Sequence, residues 1–420
     1  MTTRRWLLVG TLAFIVAYWL IARHFSNSFW RVDDAAVLPP LERLDDGGAW
    51  DELLAIHASK PDGCDKDRLK DAVAAGGPDP DALAPCRDVL VALDRWMASH
   101  ERITVPPSRL DFPDPDVDDL IMGMMTLGDA WILRAREGED GRDLVAVMDL
   151  GARLQRGGSS VLAVAFGEAI EDRALQELED RIASAPLELF EPARPFLVRR
   201  MDEPGSLSIG LLGECHALGS LLHDVPALAG PTGLPDWVVG PALRPLYSER
   251  KTRALHAAHC LDLLAWAARK PSARGPEPEL PDLAMRSPVT LLDNGIGRLL
   301  ITIAEIPAGD LAQRGDELAV RRALLVGALA IRRAEELGEI DPVPSDPWDG
   351  EPLEWDEATR TLKTRLVDDQ GARMKGVTLG PPRSLSESPP PSTPTAAPGG
   401  SDQAPAPTAP SPARPGSSGR

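Results

Sequence analysis

The sequence predicts a mostly α protein: an N-terminal transmembrane helix, an irregular multi-helix domain, a small C-terminal β-hairpin and a disordered tail. Three observations predict it. Residues Trp6–Ala22 carry no charge, apolar residues recur at helical spacing between positions 41 and 340, and the chain closes on a proline-rich stretch. These features divide the 420 residues into an anchor (1–24), a juxtamembrane linker (25–40), a helical domain (41–340), a turn-and-hairpin segment (341–376) and a tail (377–420). A hydrophobic content of 43% is enough to build a core. The net charge of −19 argues against nucleic acid as a partner, because phosphate binding needs a cationic surface.

The anchor reads WLLVGTLAFIVAYWLIA, with Arg4 and Arg5 before it and Arg23 and His24 after it. Its length sits at the short end of the roughly 17–25 residues that a spanning helix needs. Trp6, Tyr18 and Trp19 mark its two ends, as aromatic residues do at membrane interfaces. A cleaved signal peptide is the rival reading, but Leu20 and Ala22 supply only one of the two small residues that cleavage wants. The arginine pair favours a cytoplasmic N-terminus and an exported body.

After Pro39-Pro40 come the helices. Their spacing predicts residues 41–58, 80–99, 115–136, 142–156, 190–202, 206–223, 248–269, 289–305 and 314–338. The clearest pattern is Leu162, Phe166, Ile170, Ala174, Leu178 and Ile182, with Ser159 or Ser160 as N-cap and Pro186 past the end. Gly338 suits the C-cap of the last helix. Gly/Pro-rich breaks fall at 225–245 and 271–288. Strand-like alternation first arrives at Leu353 to Trp355 and Thr361 to Leu366, as a hairpin. Residues 381–420 contain 12 prolines and almost no apolar bulk, the composition of an extended, disordered tail.

The four cysteines, Cys64, Cys86, Cys215 and Cys260, form no C-x-x-C pair. In an exported domain they are expected to pair. Three connectivities are open, and Cys64–Cys86 with Cys215–Cys260 is preferred because each joins neighbouring predicted helices. Each bridge would contribute roughly 3–4 kcal/mol in the chain-entropy account.

Candidate chemistry is sparse. His256-Ala-Ala-His259-Cys260 puts two histidines on one helical face, where they can ligate zinc, with Cys215-His216 as a second half. Histidines packed between helices are the plainer reading. Ser248-Glu-Arg-Lys251 has the S-x-x-K spacing of serine β-lactamases but lacks the companion motifs, and Ser248 reads more simply as an N-cap. Asp114-Pro-Asp116-Val-Asp118-Asp119 begins like a calcium loop, yet Asp119 and Met125 stand where an EF-hand needs glycine and glutamate. Glu168, Glu171 and Asp172 have the spacing of bridging carboxylates without an E-x-x-H, so a solvated helix face is expected. Asp346-Pro-Trp-Asp349-Gly-Glu351-Pro-Leu-Glu354-Trp355 is a tight turn leading into a strand. Asp346, Asp349 and Glu351 are its candidate calcium ligands, against a structural turn that docks Trp348 on the core.

This D-P-W-x-G-x-P-L-x-W string resembles the C-terminal turn of a group of single-pass, mostly helical bacterial envelope proteins. It is more loosely similar to a turn in type II secretion pseudopilins. Gly157-Gly-Ser-Ser-Val161 and Ala169-Ile170-Glu171 to Ala174-Leu175 resemble the same envelope group. A true pseudopilin would carry a Gly-Phe processing site and a glutamate at the fifth mature position, and neither stands near Trp6. The resemblance implies architecture and carries no activity. The expected function is therefore a membrane-anchored periplasmic interaction or scaffold module with an envelope protein partner. The alternative is an envelope enzyme or ligand- or metal-binding protein using Glu214, His216, His223 and the 256–260 cluster.

Overall fold

The computed structural model describes residues 16–18, 20–21, 37–40, 47–103, 115–138, 141–157, 160–203, 207–221, 247–279, 294–303, 306, 308–367 and 373–381. Among them the protein is mostly helical, with one small antiparallel sheet. The helices are α1 (Gly47–Ala58), α2 (Lys66–Ala74), α3 (Pro80–Leu83), α4 (Arg87–Ser99), α5 (Pro115–Gly138), α6 (Gly141–Gly157) and α7 (Val161–Ile182). They continue with α8 (Ala193–Asp202), α9 (Leu207–Leu221), α10 (Glu249–Ala267), α11 (Gly295–Ile303) and α12 (Ala308–Leu337). Strands β1 (Glu354–Asp356), β2 (Thr361–Lys363) and β3 (Val377–Thr378) follow in spatial order β1-β2-β3, with Trp355 opposite Leu362 and Leu362 opposite Val377.

Most expected helices form close to their expected bounds, and the departures have local causes. Pro85 and Cys86 break the expected 80–99 helix with a 3-10 turn, because proline cannot donate into the ladder. Helix α2, which the spacing did not flag, is only nine residues long. Asp65 caps it by accepting from the Asp67 and Arg68 N–H groups, and Leu69 and Ala72 are its buried face. Helix α12 begins at Ala308, six residues ahead of expectation. Ser160 caps α7 through the Ala163 N–H, and Gly338 ends α12 with a φ of 71°, as expected. Ser248 occupies the N-cap position of α10, but its hydroxyl makes no capping bond there.

The stripe on α7 is only half right. Ile170, Ala174, Leu178 and Ile182 are buried, but Leu162 is exposed and Ala163, Val164, Glu168 and Glu171 turn inward instead. Helix α7 lies deep in the protein and is buried nearly all round. Helices α6 and α7 pack against each other at Gly151 and Gly167, where a Cβ on either residue would fall within about 2.5 Å of the other's carbonyl oxygen. Glycine is what permits that approach.

Two apolar clusters fill the interior. The larger draws on α1 to α8, α12 and the sheet, centred on residues such as Trp50, Trp131, Phe190 and Leu324. The smaller gathers Leu207, Leu211, Leu263, Trp266 and Leu311 around the Cys215–Cys260 pair. The hairpin segment packs on the larger cluster through Leu353, Leu362 and Leu366, so it is no separate layer. The sheet also runs past the expected start of the tail at 377: Val377 and Leu379 are buried. The 225–245 break, the Asp114 to Asp118 side chains and residues 382–420 lie outside the described residues.

No helix among the described residues is long and apolar enough to cross a membrane. The expected anchor lies outside them except for residues 16–18 and 20–21, which are helical; Val16, Leu20 and Ile21 are exposed.

Candidate functional site

The expected metal-like groups converge in part. Helices α9 and α10 cross where Cys215 and Cys260 form a disulfide, and His256 lies beside it. One ligand atom from each of these three residues lies within 4.8 Å of the others, all buried. His256 Nε2 is 2.9 Å from the Cys215 carbonyl oxygen, and the Cys260 sulfur is 3.6 Å from the same nitrogen. Burial pushes the His256 pKa down, opposed by that carbonyl and aided by nearby His216. With both sulfurs bonded to each other neither is a thiolate, so the group offers a metal one neutral imidazole. His216 is directed elsewhere, 2.8 Å from the Pro39 carbonyl oxygen. His259 is buried, Glu214 accepts from the Val161 N–H at 3.4 Å, and His223 lies outside the described residues. The other disulfide, Cys64–Cys86, ties the start of α2 to the start of α4. Both bridges follow the preferred connectivity.

The acidic turn is a structural device. Asp346 is buried, and its carboxylate accepts from the Trp348 N–H at 3.0 Å, the Thr364 hydroxyl at 2.6 Å and the Arg365 N–H at 3.0 Å. Asp349 accepts from the Glu351 N–H and from Arg365 at 3.2 Å, while Glu351 is exposed. Trp348 packs on the larger cluster. Among the described residues the three carboxylates do not come together as a cation cage. The lone pairs of Asp346 are used within the protein, tying the turn to the strand segment after β2.

The arrangement that sequence reasoning missed is on α7. Glu168 and Glu171, expected on a solvated face, are both buried; Asp172 is the more exposed member and pairs with Arg321. Glu171 is wholly enclosed. Arg322 donates to it through Nε at 2.6 Å and Nη2 at 2.7 Å, Arg200 at 3.1 Å and Gln155 at 2.8 Å. Burial works against its ionisation, but the two guanidinium groups outweigh it and hold the carboxyl below its usual range. Gln155 reaches Glu171 because α6 and α7 touch at their glycines; a Cβ on Gly151 would lie 2.9 Å from the Glu171 nitrogen.

One turn earlier, Glu168 shares none of this. Its Oε2 has no hydrogen-bond partner, and burial pushes its pKa up to about 8, with Arg322 opposing and Glu171 adding to the rise. Glu168 lines a cavity of about 780 Å³ enclosed by the ends of α8 and α10, the start of α9, the middle of α12 and the Ser345–Gly350 turn. Asp316 lines it too. Burial lifts its pKa to about 6, against the pull of Arg274, whose Nη1 lies 2.6 Å away. A carboxyl of raised pKa in a cavity is a common element of binding and acid–base sites.

The sequence carried a partial signal for this site. Glycines sit inside two adjacent helical patterns, at 151 and 167, each four residues before a polar side chain, Gln155 and Glu171. A helix-interior glycine costs stability unless something needs the space.

These features define the chain as a mostly helical protein with two disulfides and an ion-paired interior. In comparisons with protein-family models, curated proteins and solved structures, none matches it.

Proposed function

We propose that the chain is a single-pass inner-membrane protein of a bacterial envelope, its helical body in the periplasm acting as an interaction or scaffold module. The observation that carries this reading is the pairing of all four cysteines into two disulfides. Such bridges persist in oxidising compartments and are rare in a reducing cytosol. The uncharged run Trp6–Ala22 behind Arg4 and Arg5 supplies the tether, and the turn beginning at Asp346 resembles the C-terminal turn of a group of single-pass bacterial envelope proteins. Exposed Leu337, Ile340 and Val343 offer an apolar stretch to an envelope partner.

The test is topological. Alkaline phosphatase fused after residue 376 is expected to be active and β-galactosidase at the same point inactive; the reverse pattern would overturn the reading. Non-reducing peptide mapping should recover Cys64–Cys86 and Cys215–Cys260, and four free thiols would count against it.

A second reading is favoured by the Cys215, His256 and Cys260 convergence. Reduction by a dithiol would free two thiolates beside the imidazole, a donor set suited to zinc. Zinc bound stoichiometrically by the reduced protein, and not by the oxidised one, would support it; no uptake in either state would exclude it.

A further inference from the structure

Glu168 is 5% exposed, and its Oε2 is left without a partner in the wall of a cavity large enough for a small molecule. Interior polar atoms are almost always satisfied, and each exception asks for an explanation. Three cations in the cavity wall are committed elsewhere, and the exposed Arg314 acts on Glu168 through its charge without a hydrogen bond to Oε2. Arg322 holds Glu171 with two bonds, Arg200 holds Glu171 and Glu203, and Arg274 holds Asp316. Gly315 lets α12 pass close to the carboxyl, since a Cβ there would lie 3.1 Å from Glu168 Oε1, and the room for a ligand is the cavity that both residues line.

Two further features shape what fits. Leu207, Ile209 and Leu318 give the cavity an apolar wall. Lys270, also in its lining, is exposed and has no carboxylate partner among the described residues. The cavity thus combines a buried acid, an aliphatic wall and an uncommitted ammonium group. A second cation on the ligand would meet Lys270 unfavourably, whereas a carboxylate would pair with it.

We propose that this cavity binds an aliphatic zwitterion, a molecule with an ammonium group at one end and a carboxylate at the other. The ammonium pairs with Glu168, the chain lies on Leu207, Ile209 and Leu318, and the carboxylate meets Lys270. Charge-assisted bonds to a desolvated carboxylate supply the strong contact, and the more exposed Lys270 supplies discrimination.

The probes are ω-amino acids of four, six and eight carbons, with hexylamine and hexanoate as one-ended controls, titrated calorimetrically into the full chain. The best ω-amino acid is expected to bind at least about tenfold more tightly than either control. Glu168→Gln should weaken it by a similar factor. Lys270→Ala should weaken the ω-amino acid and leave hexylamine unchanged. No binding by any probe, equal binding by hexanoate, or unchanged affinity in Glu168→Gln or Lys270→Ala would overturn the proposal.

A measurement on the unaltered protein guards against a variant that folds poorly. Burial keeps the Glu168 carboxyl protonated at neutral pH, so pairing with an ammonium group releases about one proton. The heat of binding should then differ between Tris and phosphate buffers in proportion to their ionisation heats. Heat that is the same in both would also overturn the proposal.

Discussion

Around Glu171 the interior is crowded with donors, and at Glu168, one helical turn away, none of them bonds to Oε2. Both side chains leave the same helix and both are buried. Glu171 meets two arginines and a glutamine and is held in its charged form. Glu168 faces a cavity, and burial keeps it neutral up to about pH 8. Desolvation is the largest influence on both, so burial alone does not set the ionisation of an interior carboxyl. The outcome depends on whether distant parts of the chain deliver cations to it. One position became a closed structural junction, and the other became an open acceptor.

The strongest test of the contrast is to remove the closed member. Glu171→Ala leaves Arg200 and Arg322 buried without their counter-charge, and a broken buried pair costs about 3–5 kcal/mol. Urea denaturation followed by circular dichroism should register a loss of that order. A loss below about 1 kcal/mol would mean that the junction is open to solvent and its charges screened.

The next effect concerns how Glu171 is reached. Gly151→Ala would force a methyl group to within 2.4 Å of the Gly167 carbonyl oxygen, pushing α6 away from α7. A cost of about 1–3 kcal/mol is expected from overpacking. Cavity binding by Glu168 should survive better than the Glu171 junction, since Gln155 rides on α6 and Glu168 does not depend on it for a bond.

Much of the fold was legible because it is written locally. The Ser160 cap, the Gly338 terminus, the Pro347–Gly350 turn and the apolar run through α12 depend on neighbours a few residues away. The disulfide pairing was legible because each bridge joins adjacent helical segments. The junction on α7 was not. Glu171 finds Arg200 29 residues away and Arg322 151 residues away, and no spacing rule reports such meetings. Charged residues on a helix usually face water, so Glu168, Glu171 and Asp172 read as a solvated face, and only Asp172 approaches one. Helix α2 escaped notice for another reason: its two buried residues are too few to set a period.

The pH dependence of stability separates the two carboxylates by sign. The folded pKa of Glu168 is raised from 4.5 to about 8, so between these values the folded protein keeps a proton that the unfolded chain has lost. Its contribution is complete below about pH 4.5, and stability falls as pH rises toward 8, by at most ~1.4 kcal/mol per pH unit. Asp316 and Glu179, raised to about 6 and about 7, act in the same direction. Glu171 acts oppositely: its pKa is lowered, so its stabilisation is present above pH 4.5 and is lost as pH falls through its folded value. Glu168→Gln should remove about one proton's worth of the descending slope and leave the acid limb in place. An unchanged slope between pH 4.5 and 8 in this variant would show that Glu168 ionises freely and that the contrast with Glu171 is false.

The smallest expected effect provides the control. Ser160 accepts no charge and touches neither carboxylate; it caps α7 through the Ala163 N–H at 3.1 Å. Ser160→Ala should cost about 1 kcal/mol, the ordinary loss of an N-cap. Because it weakens the helix that carries Glu168 and Glu171 without altering the donors around either, stability should drop by the same amount at every pH. Parallel curves for Ser160→Ala, set against a flattened curve for Glu168→Gln, would place the slope in the cavity rather than in the general looseness of α7. A Ser160→Ala curve that flattened as well would return the effect to the helix.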